Sequence, residues 1–441
     1  MIKNTKLIMT SLSLAAVMAL TGCTANHTEP KKDEAKLLVA YANIATANYS
    51  KALQDAKLLQ VAIERFTKNP TEMTLKNAKN AWLISRESYG ETEIFRLANG
   101  PIDAEDGWVA EQYGSLEGQI NAWPLDENMI DYTTNAKGVV TKGNIIDTKG
   151  LFNPGGEDST SVDVTNISVD AITDLNENGG DANVATGYHA IEFLLWGQDQ
   201  DYSNFVKDSV TKGPLTAGQR PLSDYTTDKN KDRRKAYLNA SAQKVVNDLT
   251  VIANAWAKDD STNYRAALLG KNSDASKNIS NKDAKKDIFA GMGVFIKSEL
   301  ANERIAVAVL TPSEEDEHSC FSDNTHRDIQ TNYQGFKNIL MGTYNGQDFG
   351  VAPIDALDEK SKNEILSLMA KIETKIESID TIAKTSRHFD YQIRPNDPQA
   401  KVIVKLKNEL RKLGDKMVMV ASANGINLSI EDVTDAEETK L

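Results

Sequence analysis

The stretch Gly187-Tyr-His189-Ala-Ile-Glu192-Phe-Leu-Leu-Trp196-Gly-Gln-Asp199 is among the most apolar in the chain, and its reading decides the fold. On a helix, His189 and Glu192 stand one turn apart on one face. Trp196 extends that face, while Tyr188, Ile191 and Leu195 form a second, apolar stripe. A helix that is apolar nearly all round is a buried one. An ionisable pair inside it needs a counter-charge, a hydrogen-bond partner or a metal. Taken alone, the pair reads first as a satisfied core ion pair, and other segments have to show otherwise.

Outward from this segment the apolar periodicity stays helical. Leu37, Leu38, Tyr41, Ile44, Ala45, Leu53, Leu58, Ala62 and Phe66 recur at threes and fours, and Asn69-Pro70 ends the run. A second helix is expected from Thr74 to Leu97 on the stripe Leu75, Ala78, Trp82, Ser85 and Tyr89, and at the same spacing that stripe reaches Glu93 and Arg96. Further helices are expected over Arg233–Lys258, Ala284–Leu310, Asp358–Ser386 and Pro398–Ala423, with one more starting near Asn324 under an Asp323 cap. On the Ala284–Leu310 stripe, Glu299 and Asn302 stand where hydrophobes belong, and His326 aligns with the stripe of the helix after Asn324. Between Asp126 and Asn183 the chain is polar and aperiodic, with short strands expected at Gly138–Thr141 and Asn144–Asp147. The pattern predicts an all-α protein of two helical-bundle domains. The halves are alike in kind, as a duplication would leave them, and the first carries the long irregular insertion. The expected boundaries are 35–225 for the N-terminal domain, 226–425 for the C-terminal one and 426–441 for an acidic tail.

The N-terminus reads separately. Lys3 and Lys6 precede an apolar run from Leu7 to Leu20, too short to span a bilayer comfortably and suited to a signal peptide. It ends in Leu20-Thr-Gly-Cys23, which resembles a bacterial lipobox: residues 1–22 would be removed, Cys23 would carry lipid, and 23–34 would be a tether. Thr24, where an aspartate would signal inner-membrane retention, favours the outer membrane. With Cys23 acylated, Cys320 is a lone thiol in an oxidising compartment. A formal charge of −13, from 50 Lys+Arg against 63 Asp+Glu, argues against a nucleic-acid partner.

Three kinds of chemistry are open to these residues. Imidazole and carboxylate ligands on facing helices suit a transition metal, and with oxygen-rich donors iron is favoured over zinc. His189 and Glu192 supply one pair, and Glu93, Glu299, His318, Asp323 or His326 could complete it. A metallopeptidase would need a general base and an open coordination position, and the chain has no His-Glu-x-x-His and no Gly-x-Ser-x-Gly. The third reading is a non-catalytic binding module of the cell envelope.

Gly187-Tyr-His189-Ala-Ile-Glu192 resembles the Gly-x-His-x-x-Glu motif of the imelysin family, which includes iron-regulated periplasmic lipoproteins. Tyr89–Glu93, Gly100–Asp103, Asn121–Pro124, Ser298–Arg304 and His318–His326 support the resemblance, in this order and over nearly all the chain after residue 34. The resemblance implies two helical bundles with the motif near their interface, a link to iron acquisition, and a place among metallopeptidases that does not extend safely to each member. His189 and Glu192 carry over directly as metal ligands. Glu93 and Glu299 are inferred as further ligands, with Arg96, Asp103, Trp123, His318, Asp323 and His326 lining the pocket. The partners expected are the membrane, through the lipid on Cys23, the metal ion, and envelope components of iron uptake.

Overall fold

A computed structural model describes residues 32–135, 137–199, 213–310 and 317–435. The expected signal peptide, Cys23 and most of the expected tether lie outside the described residues. So do Glu314–Asp316 and the last six positions of the expected tail.

The chain is all-α, with two-stranded ribbons as its only sheets among the described residues. Eight helices carry the architecture: α1 (Lys32–Lys68), α2 (Glu72–Gly90), α3 (Gly187–Trp196), α4 (Lys231–Ala255), α5 (Asn281–Val294), α6 (Thr325–Met341), α7 (Glu359–Thr385) and α8 (Ala400–Ala423). Helix α1 packs along α2 and α4, and α3 lies against α2 and α4. In the other set, α8 packs on α5 and its continuation and on α7, while α6 joins α7. Helix α4, expected on the C-terminal side of a boundary at 225/226, therefore packs with the first set. Residues 426–435, expected as the start of a tail, fold back on α5 with Ile426 and Val433 buried.

Helix starts follow the local chemistry. Thr71 and Thr74 form a reciprocal capping box at α2, and the Asp358 side chain accepts from Lys360 and Ser361 N–H groups at α7. Other sequence expectations are corrected. Helix α2 stops at Gly90, not Leu97, and at Gly90 it approaches α6 closely: a Cβ there would lie 2.2 Å from Thr331 Oγ1. Glu93–Phe95 is a separate 3-10 turn. The Asp323 cap is absent: Asn324 holds the cap position without a side-chain bond, and Asp323 sits at φ 57°. The insertion pairs Leu151–Phe152 with Val162–Asp163, whereas Ile145 and Ile146 are buried in a turn and do not form a strand. Past α5 the rod continues as a π-helical segment, Phe295–Ala306, and then Val307–Leu310. The wider turn brings residues five apart onto one face.

Helix α3 is buried at every one of its ten residues, as its composition demands. A buried helix end must find partners for its free carbonyls. Here Arg220 donates to Phe193 O from its side chain and to Trp196 O from its backbone N–H, and the Tyr225 hydroxyl donates to Leu194 O. Asp131 and Asp224 neutralise Arg220, at 2.7 and 3.0 Å.

Candidate functional site

The two helix sets meet along α2 and α6. Arg327 pairs with Glu87, and the Asn332 and Asn338 amides donate to Gly90 O and to the Glu91 carboxylate. One end of this seam is charged and almost wholly buried. The motif helix α3 brings His189 to it, and the loop before α6 brings His318, Ser319 and Ser322.

His189 Nε2 and His318 Nε2 face each other at 3.2 Å. Each ring's other nitrogen meets a carboxylate: His189 Nδ1 lies 3.0 Å from Glu192 Oε2, and His318 Nδ1 lies 2.8 Å from Asp328 Oδ2. A serine supports each carboxylate. Ser322 donates to Glu192 Oε1 from its backbone N–H (2.9 Å) and its hydroxyl (2.6 Å), and the Ser319 hydroxyl donates to Asp328 Oδ2 at 2.6 Å. Both histidines and both carboxylates are buried. The half-buried Trp123 ring covers the pair, with centroids 4.9 Å from His189 and 6.3 Å from His318.

Burial holds both imidazoles far below their ordinary pKa, helped at His189 by the His318 ring and at His318 by Arg304 and Arg86. Burial also pushes Glu192 up to about 8, against the Ser322 hydroxyl. The rings are therefore neutral, each with one N–H and one lone pair. If both Nδ1 atoms donate to their carboxylates, two lone pairs oppose each other at the Nε2 atoms and need a cation between them. Otherwise Glu192 carries a proton to His189 Nδ1, and His189 Nε2–H donates to His318.

Around the pair runs a chain of alternating charges. Arg86 donates to Asp328 Oδ1 (3.0 Å), Asn121 Oδ1 (2.6 Å) and Glu93 Oε1 (3.2 Å). Arg304 reaches Glu93 Oε2 at 3.1 Å and Glu299 Oε1 at 2.7 Å, the latter a five-residue spacing that the π segment aligns. Arg96 closes the chain on Glu299 (2.7 Å) and Glu117 (3.3 Å) at its more exposed end. Against burial, which would raise it, Arg96 and Arg304 hold Glu299 down at about 2.

The site residues expected from sequence thus divide. His189, Glu192, Trp123 and His318 come together. Glu93 and Glu299 are engaged by arginines, and among the described residues no three or more His, Cys, Asp or Glu side chains are grouped to hold a metal ion. The expected four-ligand set is therefore not assembled. Asp103 accepts from Leu97 N–H at 2.7 Å, and burial raises it to about 6. Asp323 and His326 lie on the far side of the loop: Asp323 Oδ2 is 3.2 Å from His388, and His326 Nδ1 is 3.0 Å from Asp323 O. Asp328, Arg304 and the two serines escaped the sequence reading because polar residues in loops and mid-helix follow no apolar period.

The residues suit an open metal site better than a closed one. A separation of 3.2 Å is compatible with two nitrogen–metal bonds of about 2.0–2.1 Å to one ion. A ligating histidine almost always gives its other N–H to a carboxylate or carbonyl, and each ring's Nδ1 has a carboxylate oxygen within 3.0 Å that could accept it. Among the described residues no third histidine or cysteine joins the pair as a donor.

The Imelysin family profile matches residues 45–417. A relative named iron-regulated protein A, from Synechococcus elongatus, is 24% identical over 300 residues, which is 68% of this chain and 62% of that protein. The match thus spans less than two thirds of that relative's length. A crystal structure described as an iron-regulated protein A precursor from Parabacteroides distasonis shares the fold, with a TM-score of 0.59 at 17% identity over 90% of this chain and 97% of that one.

Proposed function

Since the chain belongs to the imelysin family, with relatives named for iron regulation, we propose that it is a lipid-anchored envelope protein that holds a transition-metal ion, iron ahead of zinc, between His189 and His318. The observation that carries this reading is the facing of two Nε2 atoms at 3.2 Å with both Nδ1 atoms on carboxylates. The two imidazoles would be the protein's donors, Glu192 and Asp328 would hold their rings, and Trp123 would keep bulk water away. Bound there, the ion would supply Lewis acidity or one-electron chemistry to whatever fills its open positions. Anchoring rests on Leu20-Thr-Gly-Cys23, and export to the outer membrane for a role in iron uptake rests on that segment and on the family.

The test is elemental analysis and Fe(II) and Zn(II) titration of the purified protein beside His189→Ala, His318→Ala and Glu299→Gln. Both histidine variants should lose the ion and Glu299→Gln should retain it. Equal metal content in all four proteins would overturn the assignment. Labelled-palmitate incorporation that persists in Cys23→Ser would overturn the anchor.

A further inference from the structure

We propose that Asp328 is a positioning residue of this site: its carboxylate accepts a hydrogen bond from His318 Nδ1–H and so leaves the His318 Nε2 lone pair facing His189. The proposal rests on the metal reading above and adds a residue outside the Gly-x-His-x-x-Glu motif. Two groups compete for His318 Nδ1, with Asp328 Oδ2 at 2.8 Å and Arg86 Nη2 at 3.1 Å. A guanidinium can only donate. Were His318 to accept from Arg86, its Nδ1 lone pair would face the Asp328 oxygen at the shorter distance, and Nε2 would carry the proton. With Nδ1–H on Asp328 the contact becomes a charge-assisted hydrogen bond, and Arg86 still has Asp328 Oδ1, Asn121 and Glu93.

The construction repeats that of the motif half. Glu192 faces His189 and is held by Ser322, while Asp328 faces His318 and is held by Ser319. One loop supplies both serines, so ring orientation in both halves depends on its placement. An Asp328 that served only as counter-ion to Arg86 would leave the His318 tautomer indifferent to its replacement.

The experiment is ring 15N NMR of the full chain, histidine-labelled and metal-free, with Co(II) titration in parallel. Wild-type His318 should be the Nδ1–H tautomer. Asp328→Asn presents a donor as well as an acceptor to Nδ1, so it should populate the Nε2–H tautomer and weaken Co(II) binding roughly 10- to 100-fold. Ser319→Ala keeps the carboxylate and should keep the tautomer. Nε2–H in the wild-type protein, or an Asp328→Asn variant unchanged in tautomer and affinity, would overturn the proposal. Should Asp328→Asn fail to fold, the wild-type tautomer decides: Nδ1–H supports the role and Nε2–H ends it. Wild-type Nδ1–H with no Co(II) bound would support the positioning role and overturn the metal reading.

Discussion

His189 and His318 stand 129 positions apart in the chain, yet their Nε2 atoms approach to 3.2 Å at the seam between the two helix sets. Neither half of the molecule holds this pair alone. A ligand on both rings stabilises the docked arrangement of the sets by its binding energy, because the undocked chain cannot offer both donors.

Glu192→Gln separates the fold from the site. The amide oxygen can still accept from Ser322, while the amide N–H donates to His189 Nδ1 and forces the His189 proton onto Nε2. Thermal melting should stay close to wild type while metal binding is lost. A variant that binds the ion with undiminished affinity would contradict the ring assignment.

Gly187→Ala tests the motif glycine. Gly187 has φ 84°, and a Cβ there would lie 2.5 Å from Ile120 O. The left-handed backbone and the backbone clash together should cost about 3 kcal/mol or more. Urea unfolding measures this, and a loss below about 1 kcal/mol would show that the α3 entry is not constrained as described.

Arg304→Met removes one cation from each of Glu93 and Glu299, which keep Arg86 and Arg96 respectively. Losing a charge-assisted contact while a second arginine remains should lower stability by roughly 1–3 kcal/mol. Hydrogen exchange should show the extra opening first along α2 and α6. Uniform loosening of α7 and α8 instead would argue against a seam-centred role.

Glu91 makes the seam sensitive to pH. Burial, with help from Glu87 and against the Asn338 amide, raises its carboxyl to about 7. A raised carboxyl contributes stability that is whole below its unfolded pKa of about 4.3 and is lost as pH rises through about 7. Glu91→Gln keeps an acceptor for Asn338 and cannot ionise. It should match wild type near pH 4.5 and exceed it by roughly 1–3 kcal/mol at pH 8. A stability difference that does not change over this range would refute the assignment.

Much of the fold was legible because helical burial writes itself as a period. Helices α1, α4, α7 and α8 were legible as helices from apolar period, and Asn69-Pro70 marked a boundary. On the second half of α1, however, the expected Leu58 is exposed and the buried face runs through Ala52, Ala56, Leu59 and Ile63. Helix α3 was legible as buried from its composition, and His189 with Glu192 from their one-turn spacing. Glu93 and Glu299 were singled out as polar groups on expected core stripes; Glu93 instead sits in a 3-10 turn after α2, and both carboxylates meet arginines. Spacing says that a carboxylate points inward and not which arginine meets it.

The sequence by itself determined the helices, the burial of the motif segment and the presence of ionisable groups that burial would have to satisfy. Only the tertiary structure decided how they are satisfied. The close approach of α2 to α6 at Gly90, the π turn that aligns Glu299 with Arg304, and the loop that delivers His318, Ser319 and Ser322 all depend on contacts between distant segments. A side-chain periodicity is local and repeats along one helix. A hydrogen bond between residues 129 positions apart depends on how two helix sets dock, which no single helix records.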